Sequence, residues 1–143
     1  MKNRMNSITV LIFTITVFLT ILQPGLSTAK DQPVILEILF MNHGPMQPTI
    51  RELQALIANY QDGVEARWFD VDQNEGKAFM KAKNLTGHIP LVVFVNGSTV
   101  YRIDGREVTF LGFPSGAGPY QFQGKWSIKD LETVIQSLLE SRS

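Results

Sequence analysis

Two apolar, strand-like runs separated by a single helical segment constrain the fold of this chain most. Residues 33–40 (PVILEILF) are almost continuously apolar and rich in β-branched side chains, which is typical of a strand buried on both faces. Residues 46–60 then repeat apolar side chains at helical spacing, and Gly63 follows as a stop signal. Residues 64–71 alternate as a second strand. A strand–helix–strand unit of this length predicts two parallel strands with a right-handed crossover.

Further elements follow downstream. Residues 75–83 place Ala and Phe side chains at helical spacing, and residues 91–95 (LVVFV) form another buried, strand-like run. Ser127 stands three residues before Asp130, at the start of a segment with a clear apolar helical face. Because a Ser hydroxyl and an acid at this spacing can satisfy each other's backbone N–H groups, the pair predicts the first turn of a terminal helix.

Two turn dipeptides shape the region after the third strand. Asn96-Gly97 and Asp104-Gly105 separate three short strand-like runs. Both dipeptides favour type I′ hairpins, since Asn, Asp and Gly tolerate positive φ. We therefore expect strands three to five to form an antiparallel meander. The order β-α-β-α-β-β-β-α predicts an α/β fold, a central mixed β-sheet flanked by helices on both faces with an extra C-terminal β-hairpin strand.

The N-terminal segment has the pattern of a targeting signal. A basic start precedes an uncharged apolar run at 8–22, and small residues follow up to Ala29. This order predicts a secretory signal peptide over residues 1–29 and a domain over residues 30–143. The apolar run is short against the roughly 20 residues of a membrane span, and an uncleaved anchor is the alternative. Both interpretations place the domain outside the cytoplasm, secreted or periplasmic, with the membrane touched only through this segment.

Cysteine content and charge balance narrow the classes of function that this chain can have. The chain has no cysteine, so it can form neither a structural disulfide nor a reactive dithiol. Lys+Arg and Asp+Glu each number 13, which argues against a nucleic-acid binder because such proteins need a basic face. The sequence also shows no Ser-His-Asp order, phosphate-binding loop or zinc-ligand spacing.

Several motifs in order resemble the thioredoxin family. Residues 43–46 (HGPM) lie between the first strand and the first helix, where the family has Cys-Gly-Pro-Cys, and they keep its Gly-Pro centre. Residues 89–91 (IPL), before an apolar strand and an Asn-Gly turn, look like the family's Ile-Pro-Thr segment, whose proline is cis. Residues 69–75 (FDVDQNE) look like its second parallel strand and exit. The resemblance implies a thioredoxin-like fold over most of the exported domain.

The chain departs from the family at the positions that carry its chemistry. Both cysteines are missing, Asn42 stands where the family has Trp, and Leu91 replaces the Thr after the cis-proline. Thiol–disulfide exchange requires an attacking thiolate, which no residue here can supply. We therefore expect a protein without thiol–disulfide oxidoreductase activity, with no catalytic residue assigned. An enzyme of unrelated mechanism ranks as the third interpretation.

The resemblance implies a binding surface that does not depend on cysteine. In the family, the backbone beside the cis-proline pairs with an extended peptide, and main-chain hydrogen bonds of this kind supply affinity. Here we expect a non-catalytic protein- or peptide-binding module, aided by the nearby Gly112 loop, that holds an extended segment of another exported protein without a cofactor. The candidate binding residues are Asn42, His43, Gly44, Pro45, Met46, Ile89 and Pro90.

A copper site in the same loop is the alternative interpretation. His43 and Met46 stand three residues apart, the family geometry implies that His88 lies nearby, and Met41 is a candidate fourth ligand. Imidazole and thioether groups suit Cu(I). Met46 could equally be a core-facing helix residue.

Two interpretations are open for Glu37, and two for the aromatic residues of the segment before the last helix. A buried Glu37 could serve as a general base, but we favour a strand glutamate that reaches a lysine or water at the sheet edge. Tyr120, Phe122 and Trp126 occupy a Gly-rich segment, where they either form a binding lip or fold back over the sheet.

Overall fold

A computed structural model describes residues 32–116 and 124–142 of the chain. The predicted signal peptide, Tyr120 and Phe122 lie outside these residues. Two short 3₁₀ turns, Gly44–Met46 and Gln61–Gly63, accompany the main elements. The main elements follow the predicted order and are β1 (Val34–Phe40), α1 (Gln47–Ala58), β2 (Val64–Asp70), α2 (Asn74–Ala82), β3 (Leu91–Val95), β4 (Val100–Ile103), β5 (Arg106–Thr109) and α3 (Ile128–Glu140). None of the helices within the described residues has the length and apolarity needed to cross a membrane.

The central sheet has three strands in the order β2-β1-β3. β1 and β2 run parallel, with Val34 opposite Val64 and Phe40 opposite Asp70. β3 runs antiparallel to β1 on its other side. The sheet is therefore mixed, and the prediction of an α/β fold with a central mixed sheet is confirmed.

Helices cover both faces of this sheet, as the uninterrupted apolar run of β3 requires. The odd-numbered residues of β3 join a large core beneath α1 and α3, and the even-numbered residues join a smaller core beneath α2. We call these the large-face core and the small-face core. The large-face core includes Val34, Leu36, Ile38, Ile50, Leu53, Leu56, Leu131, Val134 and Ile135. The small-face core consists of Leu39, Phe79, Val92 and Phe94.

The predicted meander is wrong in the placement of β4. β4 and β5 form a separate two-stranded sheet, and neither strand pairs with β3, which is linked to the chain that follows it by isolated bridges at Ser98 and Leu111. The Ser98 hydroxyl donates to the Val100 carbonyl and accepts from the Val100 N–H, at 3.0 and 3.2 Å. This local side-chain bonding bends the chain away from β3. The free side of β3 pairs instead near Phe110, whose carbonyl accepts from the Val93 N–H.

The local turn and cap predictions are confirmed. Asn96 and Gly97 have φ of 46° and 82°, and Asp104 and Gly105 have φ of 49° and 78°, as type I′ turns require. At the start of α3, the side chain of Ser127 and that of the residue three positions later form a reciprocal capping box.

Candidate functional site

Three loops lie side by side at one end of the central sheet. The Met41 N–H donates to the Pro90 carbonyl at 3.0 Å, which joins the loop after β1 to the segment before β3. The Gly112 N–H donates to the Leu91 carbonyl at 2.8 Å, which adds the segment after β5. We call this region the loop end and define it as these three loops, residues 41–46, 87–90 and 111–112, together with the adjacent end of β2, residues 70–72. It includes the carboxyl ends of two parallel strands, where α/β proteins commonly bind ligands.

The HGPM loop exposes its first residues and buries its last. His43 begins the 3₁₀ turn in an extended conformation, and its carbonyl accepts from the Met46 N–H at 2.9 Å. Pro45 is tolerated in this first turn because its missing N–H would have no partner there. Asn42, on the other side of His43, is exposed and accepts a 2.8 Å hydrogen bond from the Gln47 side chain. Gly44 and Pro45 are also exposed, so four of the predicted binding residues are open to solvent.

The four residues of the copper alternative differ in burial. Met46 is 2% exposed and lies in the large-face core, which is the core-facing position that the sequence left open. Met41 packs against the same core, whereas His43 and His88 are exposed. His88 forms no hydrogen bond or ion pair with another described residue. Within the described part of the chain, no three His, Asp or Glu residues converge as they would around a metal ion.

His43 contacts the neighbouring strand end. Its Nε2 lies 3.5 Å from Asp72 Oδ2, and the two side chains are 58% and 63% exposed. At that exposure the pair contributes little to stability. Asp70 Oδ1 accepts from the Asp72 N–H at 3.0 Å, so this side chain caps the turn after β2. The contact with His43 was missed, although parallel strands with adjacent carboxyl ends were the signal for it.

The cis-proline that the resemblance implies at Pro90 is not found, because the described residues contain no cis peptide bond. Trans is the more stable state of most X–Pro bonds, and Pro90 pairs with β1 in this state. Its carbonyl accepts from Met41, and this extends the β1–β3 ladder by one residue pair beyond Phe40 and Leu91. Pro90 can take this position because proline lacks only the donor, and it sits at the entry to the strand.

Ile89 presents unpaired backbone groups next to this ladder. Along β3, backbone groups of even-numbered residues face β1, while Leu91 and Val93 bond on the opposite side. Alternation therefore directs the N–H and C=O of Ile89 away from β1. Neither group has a hydrogen-bond partner among residues 32–116 and 124–142. Its side chain packs against the small-face core, which holds the backbone in place.

Leu111 gives the loop end an apolar surface that the sequence reasoning missed. It is 49% exposed and forms an isolated bridge with Val92 in β3. Gly44, Gly87 and Gly112 each have open space where a Cβ would lie, so all three loops leave room for a partner. The only sequence signal for Leu111 was its position in an apolar run, which by itself predicts burial.

Trp126 and Glu37 support the structure away from the open surface. Trp126 is 1% exposed, stacks edge-on against Phe110 at 5.3 Å and donates to the Gly112 carbonyl at 3.1 Å. It therefore folds back over the sheet.

Glu37 Oε2 lies 2.6 Å from Lys83 Nζ, which confirms the favoured interpretation of a strand glutamate paired with a lysine.

A separate groove of about 220 Å³ lies between β4 and α3 and is lined by residues 101–104 and residues of α3 from 133 to 138. It contains none of the predicted binding residues.

Comparison with known proteins adds no family assignment. The chain matches no protein-family model, and no curated protein is significantly similar to it.

Proposed function

We propose that this chain is an exported, thioredoxin-like protein without thiol–disulfide oxidoreductase activity. In this proposal it acts as a non-catalytic module that binds an extended segment of another exported protein at the loop end. The parallel β1–β2 pair, the antiparallel β3 and the HGPM loop at the start of α1 support the thioredoxin-like topology. The absence of cysteine supports the loss of redox chemistry.

The observation that carries this proposal is the unpaired backbone of Ile89 beside the exposed Leu111. A polar backbone group gains from a hydrogen-bond partner, and an extended peptide can provide both a donor and an acceptor as an added strand. Leu111 offers the peptide an apolar contact next to these groups. Pro90 is trans here, unlike the cis-proline of the family, and the Ile89 N–H and C=O still have no hydrogen-bond partner among the described residues.

A displayed library of random peptides, selected on the purified full chain in mild detergent, tests the proposal. Binding of the selected peptides is then measured on two matched variants. Leu111→Lys places a charge at the loop end, and Val100→Lys places the same charge on β4, at a large hydrophobic residue of the described surface that is 43% exposed. We expect affinity to fall about tenfold or more in Leu111→Lys, since a charge replaces an apolar contact, and to stay within about twofold in Val100→Lys.

The competing copper interpretation predicts a different outcome. Binding that disappears with a Cu(I) chelator or in His43→Ala, while Leu111→Lys binds normally, would favour a metal site at the HGPM loop. Peptides that bind both lysine variants equally and ignore the chelator would contradict the loop end as the binding surface. Disulfide reductase activity in the purified chain would contradict the central claim of a redox-inactive protein.

A further inference from the structure

The outer edge of β2 is an unpaired strand edge. Within the described residues β2 pairs only with β1, and it ends the sheet. The Val71 N–H donates to the Phe40 carbonyl, so backbone groups of odd-numbered β2 residues face β1. Those of Val64, Ala66 and Trp68 therefore face outward, where the described part of the chain offers no partner. A strand edge of this kind is a template for pairing with another chain.

The outward edge is self-complementary when a second copy lies antiparallel to it. In the sequence Glu65-Ala66-Arg67, a twofold axis at Ala66 places Glu65 opposite the partner's Arg67 and Arg67 opposite the partner's Glu65. Ala66 then faces its own copy, and because its N–H and C=O point outward, the two residues can exchange both hydrogen bonds. We propose that two copies of this chain associate through β2 in this register.

Charge selects this register over its neighbours. Glu65 and Arg67 already form a 2.7 Å ion pair along the strand, with side chains 46% and 53% exposed, so both are free to turn toward a partner. In this register Glu65 and the partner's Arg67 form a non-hydrogen-bonded pair, the type of antiparallel pair in which opposed side chains lie closest. Opposite charges are therefore favoured at these positions. An axis centred on Glu65 or on Arg67 would instead oppose like charges, which is unfavourable.

The paired length follows from the flanking residues. Two residues from the axis, Val64 lies opposite the partner's Trp68, both on the side of the large-face core. Four residues from the axis, Asp62 would lie opposite the partner's Asp70, which brings two carboxylates together. The pairing therefore spans residues 64–68. An interface this short gives a weak dimer whose population depends on protein concentration. It uses the sheet edge opposite to β3, so it is independent of the proposed function.

Disulfide trapping tests the register directly, because the chain has no other thiol. In Ala66→Cys, the two Cα atoms of a hydrogen-bonded antiparallel pair lie about 5.5 Å apart, within disulfide range. Glu65→Cys places its two copies diagonally, at roughly 7–8 Å, which is too far. We expect mild oxidation of the full chain to give a dimer that thiol reagents reverse in Ala66→Cys, at least fivefold more than in Glu65→Cys. Gln54→Cys, an exposed site on α1, serves as the control for random collision.

Charge reversal is the second arm of the test. Glu65→Arg puts two like-charge pairs across the interface, and we expect the dimer dissociation constant, measured by sedimentation equilibrium, to rise about tenfold. Adding Arg67→Glu in the same chain restores opposite charges and should restore the wild-type constant. Ala66→Cys trapping no higher than in Gln54→Cys, or a double-reversal variant as weak as the single variant, would overturn the proposal. Circular dichroism of each variant checks that these exposed substitutions leave the fold intact.

Discussion

The two ends of the central sheet differ in how far side chains of the described residues form hydrogen bonds with their backbone N–H and C=O groups. At the end opposite the loop end, which we call the turn end (residues 34–35, 95–97 and Tyr101), side chains close the open positions. The Asn96 side chain accepts from the Ile35 N–H at 2.9 Å, and the Tyr101 hydroxyl donates to the Val95 carbonyl at 2.6 Å. At the loop end, the backbone of Ile89 has no such partner among the described residues.

This difference shows which end of the sheet leaves backbone groups without a partner among the described residues. At the turn end, side chains already bond the Ile35 N–H and the Val95 carbonyl. The loop end combines free backbone groups with Leu111, the more exposed of the two large hydrophobic residues that stand out on the described surface. Buried contacts beneath it, chiefly through Trp126, keep that surface in shape. The following substitutions test this contrast, beginning with the largest expected effect.

Trp126→Ala should remove the support beneath the loop end. It deletes a buried aromatic side chain and the hydrogen bond to Gly112, and we expect the free energy of unfolding to fall by about 3–5 kcal/mol. Trp126→Phe keeps a ring against Phe110 and loses only the N–H donor and part of the volume, so it should cost much less, about 1–2 kcal/mol. Urea unfolding measures both. Equal losses in the two variants would show that packing on Phe110 is not what supports this end.

Asn96→Ala should open the turn end. It leaves the Ile35 N–H without its acceptor and puts Ala at a φ of 46°, and we expect a loss of about 1–3 kcal/mol in urea unfolding. Asn96→Gly also removes the acceptor but tolerates positive φ, so it separates the hydrogen bond from backbone strain and should cost less. Wild-type stability in both variants would remove the distinction between the two ends.

Tyr101 should make the turn end sensitive to alkaline pH. Burial raises the pKa of Tyr101 above its ordinary value of 10.0. The unfolded chain therefore ionises this residue first, and the stability it contributes is present below pH 10 and is lost as pH rises through the folded pKa. In Tyr101→Phe, stability should fall less steeply above pH 10, whereas the difference from wild type should be constant near pH 8. Parallel pH profiles for the two proteins would contradict this.

Gly44→Ala and Gly97→Ala form the mildest matched pair. At both glycines the position that a Cβ would occupy has open space for 4 Å around it, so the two sites differ in backbone conformation rather than in room. Gly97 has a φ of 82°, and Gly97→Ala should lose about 1 kcal/mol. Gly44 has no positive φ, and Gly44→Ala should leave stability unchanged or raise it by up to about 1 kcal/mol. Thermal unfolding separates the two, and a larger loss in Gly44→Ala would show that the HGPM loop is more constrained than its open space indicates.

Local signals in the sequence were enough for most of the fold. Hydrophobic periodicity predicted the order of strands and helices, the Asn96-Gly97 dipeptide predicted its turn, and Ser127 predicted the cap of α3. These features depend on interactions between residues close in the chain, which is why a short window of sequence contains them. The placement of β4 was missed because Ser98 diverts the chain by a side-chain contact that periodicity does not register.

The candidate site was predictable only in part. Residue order placed the HGPM loop between β1 and α1, but the burial of Met46 and the trans Pro90 depend on how that loop meets β3. Likewise, Leu111 is 49% exposed although its backbone bridges to Val92 in β3. Such facts follow from pairings between distant parts of the chain.

By itself, the sequence determined that this protein has no thiol chemistry, because no cysteine is present, and that it builds an α/β sheet, because apolar periodicity alternates between strand and helix. Only the tertiary structure decided which backbone groups lack a hydrogen-bond partner among the described residues and which charged side chains form ion pairs. Glu37 meets Lys83 46 residues away, and Ile89 has no backbone partner among the described residues. Hydrogen bonds and ion pairs between distant residues form only once the chain has folded, so no local pattern specifies them.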